Sequence, residues 1–192
     1  CLAYGYLGYL FIGETKQRKR FICIYILVNM FQTIMINPIT VGMDSVYEKE
    51  SLKAVREIAS KDPNARWITS GNAGIGNLVS AQGVKRCSGY YYYPDIAMME
   101  IIDPNKKYVN LWNSFSAVDM RLTLGENYVE SPNKDVALTV WIDFETADKL
   151  GIGYIYDMGT ISDEILATGK LEVIYTDSVD RVTIYKILEK EI

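Results

Sequence analysis

The 192-residue chain contains no histidine. This absence excludes Ser-His-Asp and Cys-His catalysis, imidazole metal sites and histidine pH switches. Catalysis would have to use carboxylates, lysine, tyrosine, or a serine activated by a group other than imidazole. We assign no catalytic residue, no metal site and no cofactor to this sequence.

Cysteine is scarce, with Cys1, Cys23 and Cys87 as the three examples. Their spacing matches neither a disulfide framework nor a metal-binding motif. Cys87 is the one cysteine outside the apolar N-terminal region. We interpret it as a small apolar residue that fills space in a strand.

Charge is missing from two N-terminal segments, 1–13 and 21–43, which flank a basic segment, 14–20, with four basic residues and one acidic residue. As a helix, 21–43 would extend roughly 35 Å, enough to cross a hydrocarbon core of about 30 Å. We predict a membrane region over 1–43. It comprises a truncated transmembrane helix (1–13), a cytoplasmic basic loop (14–20) and a complete transmembrane helix (21–43).

This topology places an extracytoplasmic domain at 44–192, within a multi-pass protein of the cell membrane. The predicted partners of the N-terminal region are the lipid bilayer and upstream transmembrane helices of the same protein. Residues 44–192 hold 16 basic and 23 acidic residues, a balance that argues against binding to nucleic acid or anionic lipid. A signal peptide is the alternative for the N-terminus, but no small-x-small cleavage site follows its apolar run.

The stretch SGNAGIGN (70–77) lies between a predicted strand and a predicted helix, as a phosphate-binding loop would. Its glycines follow Gly-x-x-Gly-x-Gly rather than the dinucleotide pattern, and no Gly-Lys-Ser/Thr ending is present. We favour a glycine-rich turn with a helix start at Asn72 or Asn77. Nucleotide binding is the alternative, and it would require a cytoplasmic domain.

Strand and helix patterns alternate along 44–192, which predicts an α/β domain, with α+β as the alternative, built on a mixed sheet with short helices. Asp103 before Pro104 and Asp143 before Phe144 indicate helix starts, and Gly151 indicates a helix end. The strands are predicted at 66–69, 84–93, 118–124, 136–142, 152–156, 171–175 and 182–187, and the other helices at 51–61 and 78–83. The strand at 118–124 alternates and should be half-buried, and the last two strands should form a hairpin.

Candidate glycan-binding residues follow that second strand: Tyr91, Tyr93, Asp95 and Glu100. In a strand, Tyr91 and Tyr93 would face the same side, where their flat rings could stack on sugars. The carboxylates could bind sugar hydroxyls. Packing of the tyrosines within the sheet and capping of a helix by Asp95 are the favoured alternatives.

A second candidate group, Asp44, Tyr47 and Glu48, would lie where the chain leaves the membrane. These residues could contact a cation that bridges to a lipid phosphate. Ordinary solvated charge is the commoner explanation for such a cluster. The three tryptophans, Trp67, Trp112 and Trp141, are predicted to lie in the core.

The C-terminal pattern resembles a known family. The segments KLGIGYI (149–155), VIY (173–175) and VTIYKI (182–187) are similar to the C-terminal extracytoplasmic domains of bacterial membrane proteins of the GT-C glycosyltransferase type, including YfhO-like proteins. The pairs Asn37-Pro38 and Tyr47-Glu48, and the segments ARWI (65–68) and YYPD (92–95), are similar to the region where the last membrane helix of such proteins enters that domain.

The resemblance implies transfer of sugars from polyprenyl-phosphate donors during cell-envelope glycan assembly. In such enzymes the acidic catalytic residue lies in an early extracytoplasmic loop, so none can be assigned within this sequence. The chain would then be an inactive accessory domain that positions acceptor glycan or supports the catalytic loops. A non-enzymatic, membrane-anchored domain that binds glycan or protein is the alternative, and the sequence leaves open whether the parent protein is an enzyme.

Overall fold

The computed structural model describes residues 15–36, 48–114, 117–131 and 137–188, and for 32–36 the backbone alone. The chain divides into two compact units, Cys1–Met43 and Asp44–Ile192. The second unit has a mixed α/β fold with short helices and two mixed sheets.

The described part of the first unit is the helix α1 (Thr15–Ile36). The prediction of a loop over 14–20 was therefore wrong for 15–20, which begins the helix. Lysine, glutamine and arginine are strong helix formers, and no proline or glycine interrupts them. Large apolar side chains on α1 are exposed, among them Ile22 (53%) and Leu27 (65%). Among the described helices, none combines the length and apolarity needed to cross a membrane.

The second unit alternates helices and strands. Its described helices are α2 (Glu50–Lys61), α3 (Ala73–Ser80), α4 (Ile96–Ile102), α5 (Val109–Trp112), α6 (Phe144–Lys149) and α7 (Asp163–Leu166). Its described strands are β1 (Arg66–Ser70), β2 (Lys85–Arg86), β3 (Gly89–Tyr90), β4 (Ala117–Leu122), β5 (Tyr128–Glu130), β6 (Leu138–Ile142), β7 (Ile152–Asp157), β8 (Leu171–Asp177) and β9 (Val182–Ile187).

The first sheet has the strand order β2-β1-β7-β9-β8. Strand β1 runs parallel to both β2 and β7, and β9 is antiparallel to β7 and β8. The predicted C-terminal hairpin is confirmed by the β8–β9 pair. Helix α3 connects the parallel strands β1 and β2, as a crossover between parallel neighbours requires.

The second sheet has the order β3-β4-β6-β5. Strands β4 and β6 are parallel, while β3 and β5 are antiparallel edge strands. The sequence predicted one mixed sheet and no strand between residues 124 and 136. The structure corrects both points, because the short strand β5 pairs with β6 and completes a separate four-stranded sheet.

Two apolar clusters hold the domain together. One contains Leu52 and Val55 of α2 packed against Trp67, Tyr154 and Ile184 of the first sheet. The other joins the opposite face of the first sheet to the inner face of the second, and its members include Ile68, Ile155, Met120, Leu138 and Val140. The first sheet is therefore covered on both faces, which is typical of sheets with parallel strands.

Side-chain caps start several of the short helices. Asn72, Asp95, Asp143 and Ser162 each accept a hydrogen bond from a backbone N–H in the first turn of the helix that follows. Of the two predicted starts, Asn72 and Asn77, the structure has Asn72, so the helix predicted at 78–83 begins and ends earlier. The predicted caps at Asp95 and Asp143 are confirmed. Gly151 has φ +68° just after α6, which confirms the predicted C-terminal glycine.

Two local predictions were wrong. Asp103 does not cap the start of a helix: it follows α4, and its buried carboxylate accepts backbone N–H bonds from Lys107 (2.9 Å) and Tyr108 (2.7 Å). Strand β4 ends at Leu122 and is almost entirely buried rather than half-buried. Asp119 on β4 is covered in part by the backbone of Gly71, whose N–H donates to the Asp119 carboxylate (2.9 Å).

Candidate functional site

The glycine-rich stretch 70–77 is a turn followed by helix α3. Gly71 has φ +103°, a conformation that glycine adopts without strain. Gly76 packs directly on the backbone of β3, where an added Cβ would lie 2.5 Å from the Ser88 carbonyl oxygen. The positive φ of Gly71 and the close packing of Gly76 thus account for these two glycines. The predicted glycine-rich turn before a helix is confirmed.

The carboxyl ends of β1 and β7 meet at the place where open α/β sheets commonly bind ligands. Here that place is occupied by the chain itself. The Asp157 carboxylate accepts from the Gly159 N–H (3.0 Å) and from the Thr160 hydroxyl (2.5 Å), and Thr160 also bonds to Ser70. The Met158 N–H donates to the Ser70 carbonyl oxygen (3.0 Å). These contacts tie the two strand ends together.

The four consecutive tyrosines, residues 90–93, form what we call the tyrosine segment. Strand β3 ends at Tyr90, so the predicted continuation of the strand to residue 93 was wrong. Tyr92 is 99% exposed and Tyr93 is 83% exposed, whereas Tyr91 is half-buried against the core. The predicted pair of Tyr91 and Tyr93 therefore differs strongly in accessibility. Tyr92 and Tyr93 are the two most exposed tyrosines of the segment.

Arg86 binds the start of the tyrosine segment. Its Nη2 donates to the Tyr90 carbonyl oxygen (2.8 Å), and its Cζ lies 4.7 Å from the centre of the Tyr91 ring. The Tyr91 hydroxyl donates to the Arg86 carbonyl oxygen (3.4 Å). Burial raises the pKa of the Tyr91 phenol above its ordinary value, because it disfavours the ionised form.

The two candidate carboxylates have structural contacts. Asp95 is exposed and caps α4 through its Oδ1, which accepts from the Met98 N–H (3.0 Å). Glu100 is exposed on α4 and forms an ion pair with Lys106 (3.3 Å). Asp95 adjoins the tyrosine segment in sequence through Pro94. Helix α4, which Asp95 precedes and which contains Glu100, also exposes Ile96 (56%) and Ile101 (42%).

Of the predicted membrane-exit group, Asp44 and Tyr47 lie outside the described residues. Glu48 is exposed and forms an ion pair with Lys53 (2.9 Å), whose hydrogen bond lowers the pKa of the Glu48 carboxyl. Lys49 pairs with Asp180 (3.1 Å) in the turn between β8 and β9. These contacts anchor the start of α2 to the domain.

A polar face on the second sheet was not predicted. Register places Arg121, Trp141 and Tyr128 side by side on neighbouring strands. Arg121 lies 5.4 Å from the Trp141 ring centre, and the Tyr128 ring stacks on it at 5.5 Å. The indole N–H donates to Glu130 (2.9 Å). Trp141 is therefore half-buried between neighbours on either side, which corrects its assignment to the core, whereas Trp67 and Trp112 are buried as predicted.

Comparison with known families decides the classification of the chain. Residues 45–191 match DUF7654, which is described as a domain of unknown function. The chain belongs to the DUF7654 family. No curated protein and no solved structure matches it. The match covers every described element from α2 to β9, so the tyrosine segment and Arg86 both lie within the DUF7654 domain.

The tyrosine segment of the DUF7654 domain offers groups for binding. Within its described residues, no group of three or more cysteine or acidic side chains could hold a metal ion. The accessible groups at the tyrosine segment are the rings and phenol hydroxyls of Tyr92 and Tyr93, the less exposed ring of Tyr90 (48%) and the Asp95 carboxylate. Sequence reasoning missed Tyr92 and Arg86. An arginine four residues before the first tyrosine was the available signal, but the bend between β2 and β3 was needed to interpret it.

Proposed function

We propose that this DUF7654 chain is a membrane-anchored domain that binds an uncharged glycan through Tyr92 and Tyr93. The exposure of these two adjacent rings is the observation that carries the proposal. An aromatic ring offers a flat apolar surface and a polar tip, which complements the apolar face and the hydroxyls of a pyranose. Asp95 would accept hydrogen bonds from sugar hydroxyls beside the rings.

The charge of the domain supports an uncharged ligand. Residues 44–192 carry a formal charge of −7, from 16 basic and 23 acidic residues. The guanidinium of Arg86 is already used by the Ser88 and Tyr90 carbonyl oxygens. Lys106 is paired with Glu100. Such a surface disfavours phosphates, nucleic acid and acidic sugars, since each brings negative charge.

Binding can be tested on the full chain in detergent micelles with neutral tetrasaccharides of glucose, mannose and galactose. We expect shifts of the amide NMR signals of residues 90–93 and 95 on addition of at least one of them. Tyr92→Ala and Tyr93→Ala should each weaken that binding roughly two- to tenfold, the range of one aromatic contact. Val179→Ala, which changes another exposed apolar residue (89%) in the β8–β9 turn, is the control. Absence of shifts with all three sugars would contradict the proposal.

Membrane anchorage is the second part of the proposal. It is supported by the exposed apolar side chains of α1, which include Ile26 (51%) and Phe31 (65%), and by the lack of charge over 21–43. The apolar run continues through 37–43, outside the described residues. A bilayer would cover these side chains at a gain of about 25 cal/mol per Å² of apolar surface. The DUF7654 domain would then lie on the extracytoplasmic side.

The parent protein would be a GT-C-like glycosyltransferase that uses polyprenyl-phosphate sugars in cell-envelope glycan assembly. This step rests on the resemblance of segments such as KLGIGYI (149–155) to such proteins. The domain would hold acceptor glycan while upstream carboxylates carry out transfer. We expect no transfer from polyprenyl-phosphate sugars by this chain alone, and transfer by a protein that also contains the upstream loops. Failure of that longer protein to transfer sugar would favour a non-enzymatic binding domain.

A further inference from the structure

The guanidinium of Arg86 makes several contacts in the space between α3 and β3. Its Nη1 donates to the Ser88 carbonyl oxygen (3.2 Å) and to Oδ1 of Asn77, and its Nη2 donates to the Tyr90 carbonyl oxygen (2.8 Å). The group also lies over the ring of Tyr91. A planar fork of donors can satisfy several oxygens while it stacks on an aromatic ring, and a lysine ammonium cannot do both.

Two neighbouring residues are fitted to this arrangement. Gly89 has φ +124°, and a Cβ added there would collide with Nη1 of Arg86. Asn77 Oδ1 accepts from Arg86 and also from the Tyr90 N–H (3.2 Å). The start of the tyrosine segment is thus fixed at the Tyr90 N–H, the Tyr90 carbonyl oxygen and the Tyr91 ring.

The exposed end of the segment lacks comparable support from the sheet. Residues 91–93 lie beyond the last residue of β3, so no strand pairing orders them. The next fixed point is Asp95, which caps α4. A ligand that stacks on mobile rings must order them on binding, at a cost of about 0.5–1.5 kcal/mol for each immobilised side chain. Contacts that order the segment in advance remove part of that cost.

We propose that Arg86 is the positioning residue of the tyrosine segment, which holds the backbone of Tyr90 and the ring of Tyr91 so that Tyr92 and Tyr93 are presented to a ligand. This inference rests on the proposed sugar binding. Arg86 itself does not touch the sugar. Its effect is on the order and direction of the two rings that do.

The test combines two measurements on the full chain in micelles. The first is the backbone ¹⁵N heteronuclear NOE of residues 91–93 without ligand. The second is the affinity for whichever neutral tetrasaccharide binds the wild type. Arg86→Ala should lower the NOE at 91–93 and weaken binding about tenfold. Arg86→Lys should restore part of both, because it keeps the charge and the aliphatic stem.

Lys85→Ala is the matched control. It removes one positive charge from the same short strand, and the Lys85 ammonium contacts Asn64 (3.3 Å) rather than the tyrosine segment. It should leave both measurements unchanged. If Arg86→Ala does not fold, Arg86→Lys serves as the test variant and should still lower the NOE in part.

The outcomes separate this inference from the proposed function. An unchanged NOE at 91–93 in the folded Arg86 variants would overturn the positioning role, whatever the sugar result. Loss of thermal stability without loss of order at 91–93 would also overturn it, since that is the behaviour of a purely structural arginine. A lowered NOE together with weaker binding supports it. Absence of sugar binding by the wild type overturns the proposed function and, with it, the role of Arg86 in ligand binding.

Discussion

Trp112 donates its indole N–H to the carboxylate of Asp103, with 3.1 Å between Nε1 and Oδ2. Asp103 is 5% exposed, and this bond adds to the two backbone N–H bonds that its oxygens accept. Trp67 provides the contrast. It is fully buried and stacked on Tyr154 (4.7 Å), yet its Nε1 has no hydrogen-bond partner among the described residues.

We therefore predict that Trp112→Phe destabilises the domain more than Trp67→Phe does. Both changes remove similar volume from the core. Only the first takes a hydrogen bond from a buried carboxylate, which is worth about 1.5–3 kcal/mol. Only the second removes an unpaired buried donor. Urea unfolding monitored by tyrosine fluorescence would measure the difference, and equal losses of stability would contradict the hydrogen-bond assignment.

The glycine-rich stretch gives a second matched pair, Gly76→Ala and Gly74→Ala. Both residues lie in α3, where alanine is favoured over glycine by about 1 kcal/mol. A Cβ at Gly76 would lie 2.5 Å from the Ser88 carbonyl oxygen and 2.8 Å from the Gly89 Cα, and this backbone cannot yield locally. At Gly74 the nearest atoms are the Asn72 side chain at 3.1 Å and the Tyr90 ring at 3.6 Å.

We expect Gly76→Ala to lower the free energy of unfolding by about 1–3 kcal/mol, as overpacking does. Gly74→Ala should be close to neutral. Thermal melts of the two variants beside the wild type would test this. A stable Gly76→Ala protein would show that the close packing of α3 on β3 is not required.

Stability should fall at high pH because of Cys87. Burial raises the pKa of this thiol from 9.0 to about 11 in the folded protein. A raised folded-state pKa means that the folded protein holds the proton more tightly than the unfolded chain does. The stabilising contribution is therefore complete below pH 9 and is lost as pH rises towards 11, with a slope of about 1.4 kcal/mol per pH unit at most.

The control for this pH effect is Cys87→Ala, whose unfolding free energy should depend less on pH between 9 and 11. Burial raises the pKa of Tyr91 as well, in the same direction, so a smaller dependence should persist in the variant. Unfolding by urea at several pH values would measure both slopes. Identical slopes in wild type and variant would exclude a contribution from the thiol.

Much of the secondary structure could be predicted because local chemistry determines it. A polar side chain that caps a helix can be recognised because it directly precedes the first helical residue, as Asn72, Asp95 and Asp143 show. The alternating hairpin at the C-terminus and the positive-φ Gly151 are likewise local features. Each of these depends on residues within a few positions of one another, so a single sequence contains the necessary information.

The division into two sheets could not be predicted, because strand pairing joins distant residues. Strand β5 has three residues and lies in a polar segment, and it is recognisable only from its pairing with Trp141 and its neighbours on β6. The segment 84–93 resembles one strand in sequence. It forms two short strands that belong to different sheets, since Cys87–Ser88 and the positive φ of Gly89 turn the chain between them.

The candidate site was predicted only in outline. The run of four tyrosines drew attention to the segment, but alternation in a strand would have exposed Tyr91 with Tyr93. The chain leaves the strand after Tyr90, and Arg86 covers the Tyr91 ring instead. Exposure of Tyr92 therefore depends on a turn after Tyr90 and on the contact between Arg86 and Tyr91, five positions apart. Neither feature produces a periodic pattern in the sequence.

Membrane topology provides the last prediction. Cys1 and Cys23 are replaced by alanine, and Cys87 is kept because it is 1% exposed and its raised pKa keeps the thiol protonated. A single new cysteine is placed at Ser178, exposed in the turn between β8 and β9, or at Thr15, exposed at the start of α1. The two positions lie on opposite sides of the proposed span 21–43.

Cells with a permeabilised outer membrane are then treated with a membrane-impermeant maleimide. We expect labelling of Ser178→Cys without lysis and of Thr15→Cys only after lysis, because the basic segment before the span should remain cytoplasmic. The reverse pattern would place the domain in the cytoplasm and revive nucleotide binding for the stretch 70–77. Equal labelling of both positions without lysis would mean that no bilayer separates them, and the proposed span would then be wrong.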